Sequence, residues 1–238
     1  MRLDDLELVR REYADESRFA VRAAAWEGAT GPDPRELAFD AVAEVTPQRV
    51  LEVGPGRGEL ADRMQRELGC DVVAVDLSER MVALTRARGV AAVVGDVQDL
   101  PFGDASFDCA LAAWVLYHVP DLDRGLSELA RVLRSGGRLV AVTNSDWNLP
   151  ELWSLVAESA RPTHPFSAEN GEEALRRHFA RVERREARGT VTFPDCEAAR
   201  RYVAASVTRA HLADELPELD GPLVASRLVA VFVADKSE

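Results

Sequence analysis

The fold is decided by the stretch Val50-Leu51-Glu52-Val53-Gly54-Pro55-Gly56-Arg57-Gly58-Glu59-Leu60. Its apolar start is too short for a helix and rich in β-branched residues, which predicts a buried parallel strand. The three glycines at alternate positions predict a turn at the carboxyl end of that strand, and a helical pattern begins at Leu60. Because glycine has no Cβ and tolerates positive φ, such a turn lets the backbone approach a ligand. The first N–H groups of the following helix are also available to a polar ligand.

The spacing of the glycines narrows the choice of ligand. A dinucleotide fingerprint has glycine at its first, third and sixth positions, but the sixth position here is Glu59, whose carboxylate would repel a pyrophosphate. A phosphate-binding P-loop needs Gly-Lys followed by Ser or Thr, and no such sequence follows these glycines. Two interpretations are left, a site for a ligand without phosphate and a tight turn that holds no ligand.

The pattern Glu-x-Gly-x-Gly-x-Gly, from Glu52 to Gly58, resembles the first motif of the class I S-adenosylmethionine-dependent methyltransferases. That cofactor carries a methionine ammonium and a sulfonium but no phosphate, so an acid beside the glycines suits it electrostatically. Two later features extend the resemblance from about Val50 to Asn144. They are Gly95-Asp96-Val97-Gln98-Asp99-Leu100-Pro101-Phe102 and a strand, helix, Leu-Arg-x-Gly-Gly, strand pattern.

The resemblance implies a set of cofactor-binding residues. Asp76 ends the second predicted strand about twenty residues past the glycines, where a carboxylate can accept both hydroxyls of an adenosine ribose. Asp96 would accept the adenine amino group, and the Val97 N–H would bond a ring nitrogen. Met81 is placed to contact the adenine, with a place in the hydrophobic core as the alternative. The predicted set is Glu52, Gly54, Gly56, Gly58, Asp76, Leu77, Met81, Asp96, Val97, Ala113 and Trp114.

The residues after the fourth predicted strand are candidates for contacts with the cofactor and with the substrate. Ala113 and Trp114 would lie beside the methionine part of the cofactor, and Tyr117 is a candidate for the substrate side. His118 is the one histidine inside the motifs, and histidine titrates near neutral pH. It could take a proton from a substrate hydroxyl or amine, which makes it the candidate catalytic residue. A hydrogen-bonded structural role is the alternative.

Local patterns predict further helices around this core. A helix from about Leu3 to Glu27 would form an N-terminal lid, with Tyr13 and Arg18 as substrate-side candidates. Phe19 and Trp26 lie on the same lid, and for all four residues the alternative is that they only cover the sheet.

Two predicted boundaries follow the cofactor motifs. Ser135-Gly136-Gly137 predicts the end of a helix before a strand from Arg138 to Asn144. A later apolar pattern predicts a helix from Pro150 to Ala160.

The alternation of strand and helix patterns predicts an α/β fold. The resemblance implies a Rossmann-like sheet of seven mostly parallel strands, the last inserted antiparallel, with helices on both faces and N-terminal lid helices. We expect a single domain over residues 1–238. Within it, residues 1–46 would form the helical lid, residues 47–144 the cofactor-binding core, and residues 145–238 the C-terminal sheet and substrate-side elements.

Composition limits the class of protein. With 47% hydrophobic residues, the 238-residue chain can build a sizeable core. A formal net charge of -12 disfavours nucleic acid or an anionic membrane as a partner, because both need a basic face. No apolar run is long enough for a membrane span, and the acidic start is unlike a signal peptide. The three cysteines and four histidines show no disulfide or metal-ligand spacing, so no metal and a reducing, cytoplasmic location are expected.

These features together predict an enzyme that transfers a methyl group from S-adenosylmethionine to the oxygen, nitrogen or carbon of a small molecule. One alternative is a protein of the same fold that binds the cofactor without methyl transfer. The other is a nicotinamide-dependent oxidoreductase, against which Glu59 and the Gly95 to Phe102 stretch both argue.

Overall fold

Seven strands form one mixed sheet in the computed structural model, which describes residue 4 and residues 16–156, 164–206 and 208–238. The strands are β1 (Arg49–Val53), β2 (Asp71–Asp76), β3 (Ala91–Val94), β4 (Phe107–Ala113), β5 (Leu133–Asn144), β6 (Arg181–Phe193) and β7 (Leu223–Asp235). Their order across the sheet is β3-β2-β1-β4-β5-β7-β6. Strands β1 to β5 are parallel, and β7 lies antiparallel between β5 and β6. The predicted fold class is therefore confirmed, including the antiparallel insertion of the last strand.

Helices pack on both faces of this sheet. They are α1 (Glu16–Ala24), α2 (Pro34–Ala43), α3 (Glu59–Leu68), α4 (Glu79–Ala87), α5 (Leu122–Val132), α6 (Pro150–Trp153), α7 (Gly171–Arg176) and α8 (Cys196–Ala204), with 3-10 turns at Leu116–His118 and Ala210–Glu215. Side-chain caps fix the start of four of them, α2, α4, α5 and α8. Ser78 accepts from the Met81 N–H before α4, and Asp121 accepts from the Arg124 N–H before α5. Within the described residues, no helix is both long and apolar enough to cross a bilayer.

The hydrophobic core lies in two layers because alternate side chains of a strand point to opposite faces. Leu51 of β1 belongs to one layer, together with Leu126 of α5. Its neighbour Val50 belongs to the other layer, together with Phe39 of α2 and Met64 of α3. The short apolar run that predicted β1 is thus buried on both sides, as expected for the centre of a parallel sheet.

The register of the central strands brings their carboxyl ends to one edge. Val53, the last residue of β1, lies opposite Val75 of β2 and Ala112 of β4. Gly54, which follows β1, and Asp76, which ends β2, therefore meet at the same edge of the sheet. Ligands of open α/β sheets bind at this edge.

Strand β5 begins earlier than the sequence pattern predicts. Leu133 already pairs with Phe107 of β4, and the register shifts between Phe107 and Cys109. Gly136 adopts a φ of +67° inside the strand, so the Ser135-Gly136-Gly137 segment forms an irregularity within β5 and does not end α5. The glycine still provides the left-handed conformation that the pattern requires.

Two predicted helices are shorter in the described residues. The helix predicted from Pro150 ends at Trp153 because the Leu155 N–H bonds the Leu152 carbonyl in a tighter turn. Residues 157–160 of that prediction lie outside the described residues. Of the predicted lid helix, the structure describes α1, and residues 5–15 lie outside the described residues.

Candidate functional site

A cavity of about 220 Å³ opens at the carboxyl edge of the sheet, and we call it the main cavity. It brings together many of the residues predicted from the sequence, from four separate segments of the chain. They are Gly54, Gly56, Asp76, Leu77, Asp96, Val97, Ala113, Trp114, Tyr117 and His118. It is also lined by residues that the sequence did not indicate, including Arg22, Asn144 and Tyr202.

The glycine turn has the backbone geometry that its sequence predicts. Gly54, Gly56 and Gly58 have φ values of +67°, +55° and +75°, in the region that side chains disfavour. A Cβ on Gly54 would lie 2.6 Å from Cγ2 of Val115, so glycine is required there by space as well. Gly58 does not line the main cavity. It stands at the N-cap of α3, where a Cβ would lie 2.9 Å from Oγ1 of Thr85.

Two aspartates lie at this edge, Asp76 at the end of β2 and Asp96 just beyond β3. Oδ1 of Asp76 accepts from the Ser78 N–H at 2.8 Å, and burial raises the pKa of Asp76 to about 6. Oδ1 of Asp96 accepts from the Gln98 N–H at 2.9 Å, and the Gln98 side-chain amide donates to both Asp96 oxygens. Backbone donors therefore hold both carboxylates in place at the cavity wall. Each carboxylate keeps lone pairs for a hydroxyl or amino group of a ligand.

Glu52 faces a second cavity of about 270 Å³ beyond the glycine turn, which we call the side cavity. The side chain of Glu52 is buried, and the Ala61 N–H donates to its carboxylate. Its Oε2 has no hydrogen-bond partner among the described residues. Burial is the main cause that raises the pKa of Glu52 to about 8, and the charge of Asp76 adds to the shift. The two cavities share Gly54, Gly56 and Ala113 in their walls.

Trp114 stands at the end of β4 in an unusual backbone conformation. Its φ is +55°, which is uncommon for a residue other than glycine and costs on the order of 1–3 kcal/mol. Its N–H donates to the Val142 carbonyl at 2.9 Å, and its indole Nε1 donates to Oδ1 of Asn144 at 3.1 Å. These bonds from the neighbouring strand β5 hold the indole at the cavity wall. The sequence did not indicate Asn144, because its partner is 30 residues away along the chain.

An aromatic and histidine cluster forms the wall after β4. Tyr117 lies with its ring centroid 4.5 Å from that of His118 and 5.5 Å from that of His164. His118 is 6% exposed and lines the main cavity. Nδ1 of His164 is 2.8 Å from Oδ1 of Asp146, which orients the imidazole. The sequence pattern treats His164 as an isolated histidine, and the pairing with Asp146 emerges only from the fold.

Of the predicted lid, helix α1 and the turn after it line the main cavity. Arg22 and Trp26 line the main cavity from this helix and its following turn, opposite Tyr202 of α8. Arg18 is exposed on α1 and is not part of the lining. Tyr13 lies outside the described residues, and nothing is described of the Phe19 side chain. Met81 is 1% exposed in the protein interior and does not line the cavity, as its alternative interpretation held.

Comparison with known proteins agrees with this geometry. A family model described as a methyltransferase domain matches residues 51–141. Over this stretch the chain is similar to the methyltransferase-domain family. The resemblance carried by the glycine turn and the later motifs is thereby confirmed. The matched residues contain the glycine turn, both aspartates, Trp114 and His118, whereas Arg22 and Tyr202 lie outside them.

Individual relatives share this methyltransferase domain. A demethylmenaquinone methyltransferase of Renibacterium salmoninarum is 38% identical over 145 residues, which are 60% of this chain and 54% of that protein. A malonyl-[acyl-carrier protein] O-methyltransferase of Pseudescherichia vulneris is 34% identical over 139 residues, which are 56% of this chain and 55% of that protein. The chain therefore spans about half the length of the curated relatives it matches.

Solved structures show the same fold around the methyltransferase domain. The YcgJ protein of Bacillus subtilis superimposes with a TM-score of 0.62 at 18% identity, over 85% of this chain and 99% of that one. At this level of identity the likeness concerns the fold.

Proposed function

We propose that the protein transfers the sulfonium methyl group of S-adenosylmethionine to a small-molecule acceptor. The observation that carries this proposal is Glu52, whose buried Oε2 lacks a partner among the described residues and faces the side cavity behind the glycine turn. A buried carboxylate without a partner is costly. A cationic ligand group would remove that cost, and the methionine ammonium of the cofactor is such a group.

The remaining parts of the cofactor have suitable partners along the same edge. Asp76 can accept the ribose hydroxyls, and Asp96 can accept the adenine amino group. Arg35 lines the side cavity together with Glu52, and a guanidinium suits a carboxylate. Glu52 and Arg35 would therefore recognise the two charged ends of an amino acid.

Two carboxylates of the side cavity disfavour a nicotinamide dinucleotide. The pyrophosphate of such a ligand would lie at the glycine turn, where Glu52 and Glu59 line the side cavity. Carboxylates repel phosphates at short range, and the structure offers no second glycine-rich turn beside a strand end in the described residues.

The catalytic contribution of the chain is mainly positional. When bound, the cofactor supplies an electrophilic methyl group on a sulfonium. The wall after β4 holds the acceptor against this group, and Val115 and Val119 provide apolar surface that limits water. His118 is placed to take the proton from a hydroxyl acceptor, whereas a neutral amine needs little beyond positioning.

A small-molecule acceptor is favoured over a macromolecule by two observations. The net charge of -12 disfavours nucleic acid, and the acceptor wall is a cavity and not an extended surface. The name of one relative, a demethylmenaquinone methyltransferase, is in keeping with an acceptor that is not a macromolecule.

Calorimetry with S-adenosylhomocysteine and with NAD tests the proposal. We expect binding of the sulfur ligand and no binding of NAD. Asp76→Ala should weaken binding by about 1–3 kcal/mol, because the ribose hydroxyls lose a charged acceptor. Asp71→Ala is the matched control, since Asp71 is exposed at the opposite end of the same strand. Unchanged affinity of a folded Asp76→Ala variant, or tight binding of NAD, would refute the assigned cofactor site.

Product formation distinguishes transfer from binding alone. Incubation of the protein with S-adenosylmethionine and a panel of phenols, carboxylic acids and amines should yield S-adenosylhomocysteine with at least one acceptor. Binding of the cofactor without product from any acceptor would favour a cofactor-binding protein that does not transfer methyl groups.

A further inference from the structure

The wall of the main cavity changes its chemistry from one end to the other. Asp76 and Asp96 stand where the cofactor is proposed to bind, at the ends of β2 and β3. Arg22 and Tyr202 stand on α1 and α8, and α8 packs against β6 at the opposite edge of the sheet. The charge of Arg22 acts on Tyr202, whereas no arginine is among the causes that shift the pKa of Asp76. The cavity is therefore polarised, with carboxylates at one end and a guanidinium at the other.

Arg22 is held in place at this wall. Its Nη1 donates to the carbonyl of Ala205 at 2.5 Å, which ties α1 to the C-terminus of α8. Burial raises the pKa of the Tyr202 phenol, an effect that the charges of Arg209 and Arg22 only partly offset. The hydroxyl therefore stays protonated at neutral pH. A guanidinium and a phenol O–H together are the donors that a ligand carboxylate requires.

Aromatic side chains concentrate at the same cavity. The chain has four tryptophans and three tyrosines, and four of these seven line the main cavity in the part that the structure describes. They are Trp26, Trp114, Tyr117 and Tyr202. Flat aromatic rings favour the stacked or edge-on contacts that planar ligands make. Trp26 follows α1, which carries Arg22, and Tyr202 lies on α8, whose C-cap residue Ala205 is bonded by Arg22. The planar surface and the charge therefore belong to the same end.

We propose that the acceptor end of the main cavity binds a planar aromatic acid, with its ring against Trp26 and Tyr202 and its anionic group beside Arg22. This inference rests on the proposed methyl transfer, because it assigns the chemical class of the acceptor. It explains why an acidic protein places a part-buried guanidinium in its cavity wall. It also gives α1 a role in recognising the acceptor as well as covering the cofactor.

Four matched probes test the inference on the full chain saturated with S-adenosylhomocysteine. They are 4-hydroxybenzoate, the neutral 4-hydroxybenzamide, the non-planar trans-4-hydroxycyclohexanecarboxylate and the cationic 4-hydroxybenzylamine. Affinities are measured by ligand-observed NMR titration. We expect 4-hydroxybenzoate to bind at least about tenfold more tightly than each of the other three, since loss of one charge-assisted contact or one stacked ring corresponds to about 1.4 kcal/mol or more.

Variants locate the source of this preference. Arg22→Gln should reduce the ratio of 4-hydroxybenzoate to 4-hydroxybenzamide affinity to near one, and Arg22→Lys should retain part of it. Arg201→Gln is the charge-matched control, because Arg201 is exposed on α8, pairs with Glu197 and does not line the cavity. It should leave the ratio unchanged. Binding of S-adenosylhomocysteine to each variant shows that the fold and the cofactor site are intact.

Each outcome bears on one of the two proposals. Equal affinities for the benzoate and the benzamide, tighter binding of the amine, or no binding of any probe to the cofactor-loaded protein would overturn the inference and leave the cofactor proposal standing. A preference that survives Arg22→Gln would place the anion elsewhere and overturn it too. Failure of wild-type protein to bind S-adenosylhomocysteine would instead refute the proposed function.

Discussion

Binding of the cofactor should release a proton from Glu52. With a pKa of about 8 in the unliganded protein, Glu52 is about 90% protonated at pH 7. A ligand ammonium beside Oε2 favours the ionised carboxylate, so the complex binds fewer protons than the free protein and the free ligand together. We therefore expect binding of S-adenosylhomocysteine at pH 7 to release about 0.9 proton from this residue. Because released protons favour binding at higher pH, the affinity should rise about tenfold between pH 6 and 7 and level off above about pH 9.

Asp76 also releases protons on binding, and its share can be separated from that of Glu52 by comparing two ligands. Its pKa of about 6 leaves it about 10% protonated at pH 7. Methylthioadenosine retains the adenosine but lacks the amino acid, so it should release only the proton fraction that belongs to Asp76, about 0.1. The difference between the two ligands then reports Glu52 alone.

Isothermal titration calorimetry in two buffers with different ionisation enthalpies measures the released protons directly. Glu52→Gln should lower the proton release of S-adenosylhomocysteine to that of methylthioadenosine. Glu79→Gln is the matched control, because Glu79 is an exposed glutamate at the start of α4 and lines neither cavity. If S-adenosylhomocysteine releases no more protons than methylthioadenosine in the wild-type protein, Glu52 is not the partner of the ammonium and the reasoning from its orphan oxygen is wrong.

Three further expectations follow from the same geometry. The pKa of Glu52 is raised from 4.5 to about 8 in the folded protein, so the contribution of its proton to the free energy of unfolding is fully present below about pH 4.5 and is lost as the pH rises to 8. Urea unfolding should therefore find the unliganded Glu52→Gln variant more stable than wild type by a few kcal/mol at pH 8 and by little at pH 5. Gly54→Ala should abolish cofactor binding, because its Cβ meets Val115, whereas Gly69→Ala, at a similar positive φ but in open space, should cost only about 1 kcal/mol of stability and leave binding intact. His118→Asn should lower kcat for a hydroxyl acceptor at neutral pH and leave calorimetric cofactor affinity unchanged; equal loss with hydroxyl and amine acceptors would assign His118 a structural role.

Local sequence patterns were sufficient for the central strands and for the residues at their carboxyl ends where the cofactor is proposed to bind. Val50 to Val53 and the glycines after them carry their structure in adjacent residues, through β-branched side chains and positive φ angles. Asp76 is the last residue of β2 and Asp96 lies two residues after β3. Parallel strands align their carboxyl ends without further information. Such features depend on residues that are adjacent in the chain, so a single sequence is enough to predict them.

The acceptor end depends on contacts that no short-range rule reveals. Arg22 bonds Ala205 across 183 residues, and Trp114 bonds Asn144 across 30. The pairing of His164 with Asp146 joins two loops across 18 residues. Helical periodicity on α1 indicated a lid face, yet it did not distinguish the exposed Arg18 from the lining Arg22, because the position of α8 decides which of them faces the cavity.

Departures from local rules in this chain coincide with the proposed site. Trp114 adopts a left-handed backbone conformation that glycine would accept more easily, and Glu52 buries a carboxylate oxygen without a partner among the described residues. Each feature lowers the stability of the unliganded protein by on the order of 1–3 kcal/mol. Neither helps the sheet to form, since the neighbouring positions of β1 and β4 are apolar and well packed. A cation beside Glu52 and a ligand against the Trp114 indole would offset both penalties, which is what the proposed binding of a cationic adenosyl ligand in the two cavities would supply.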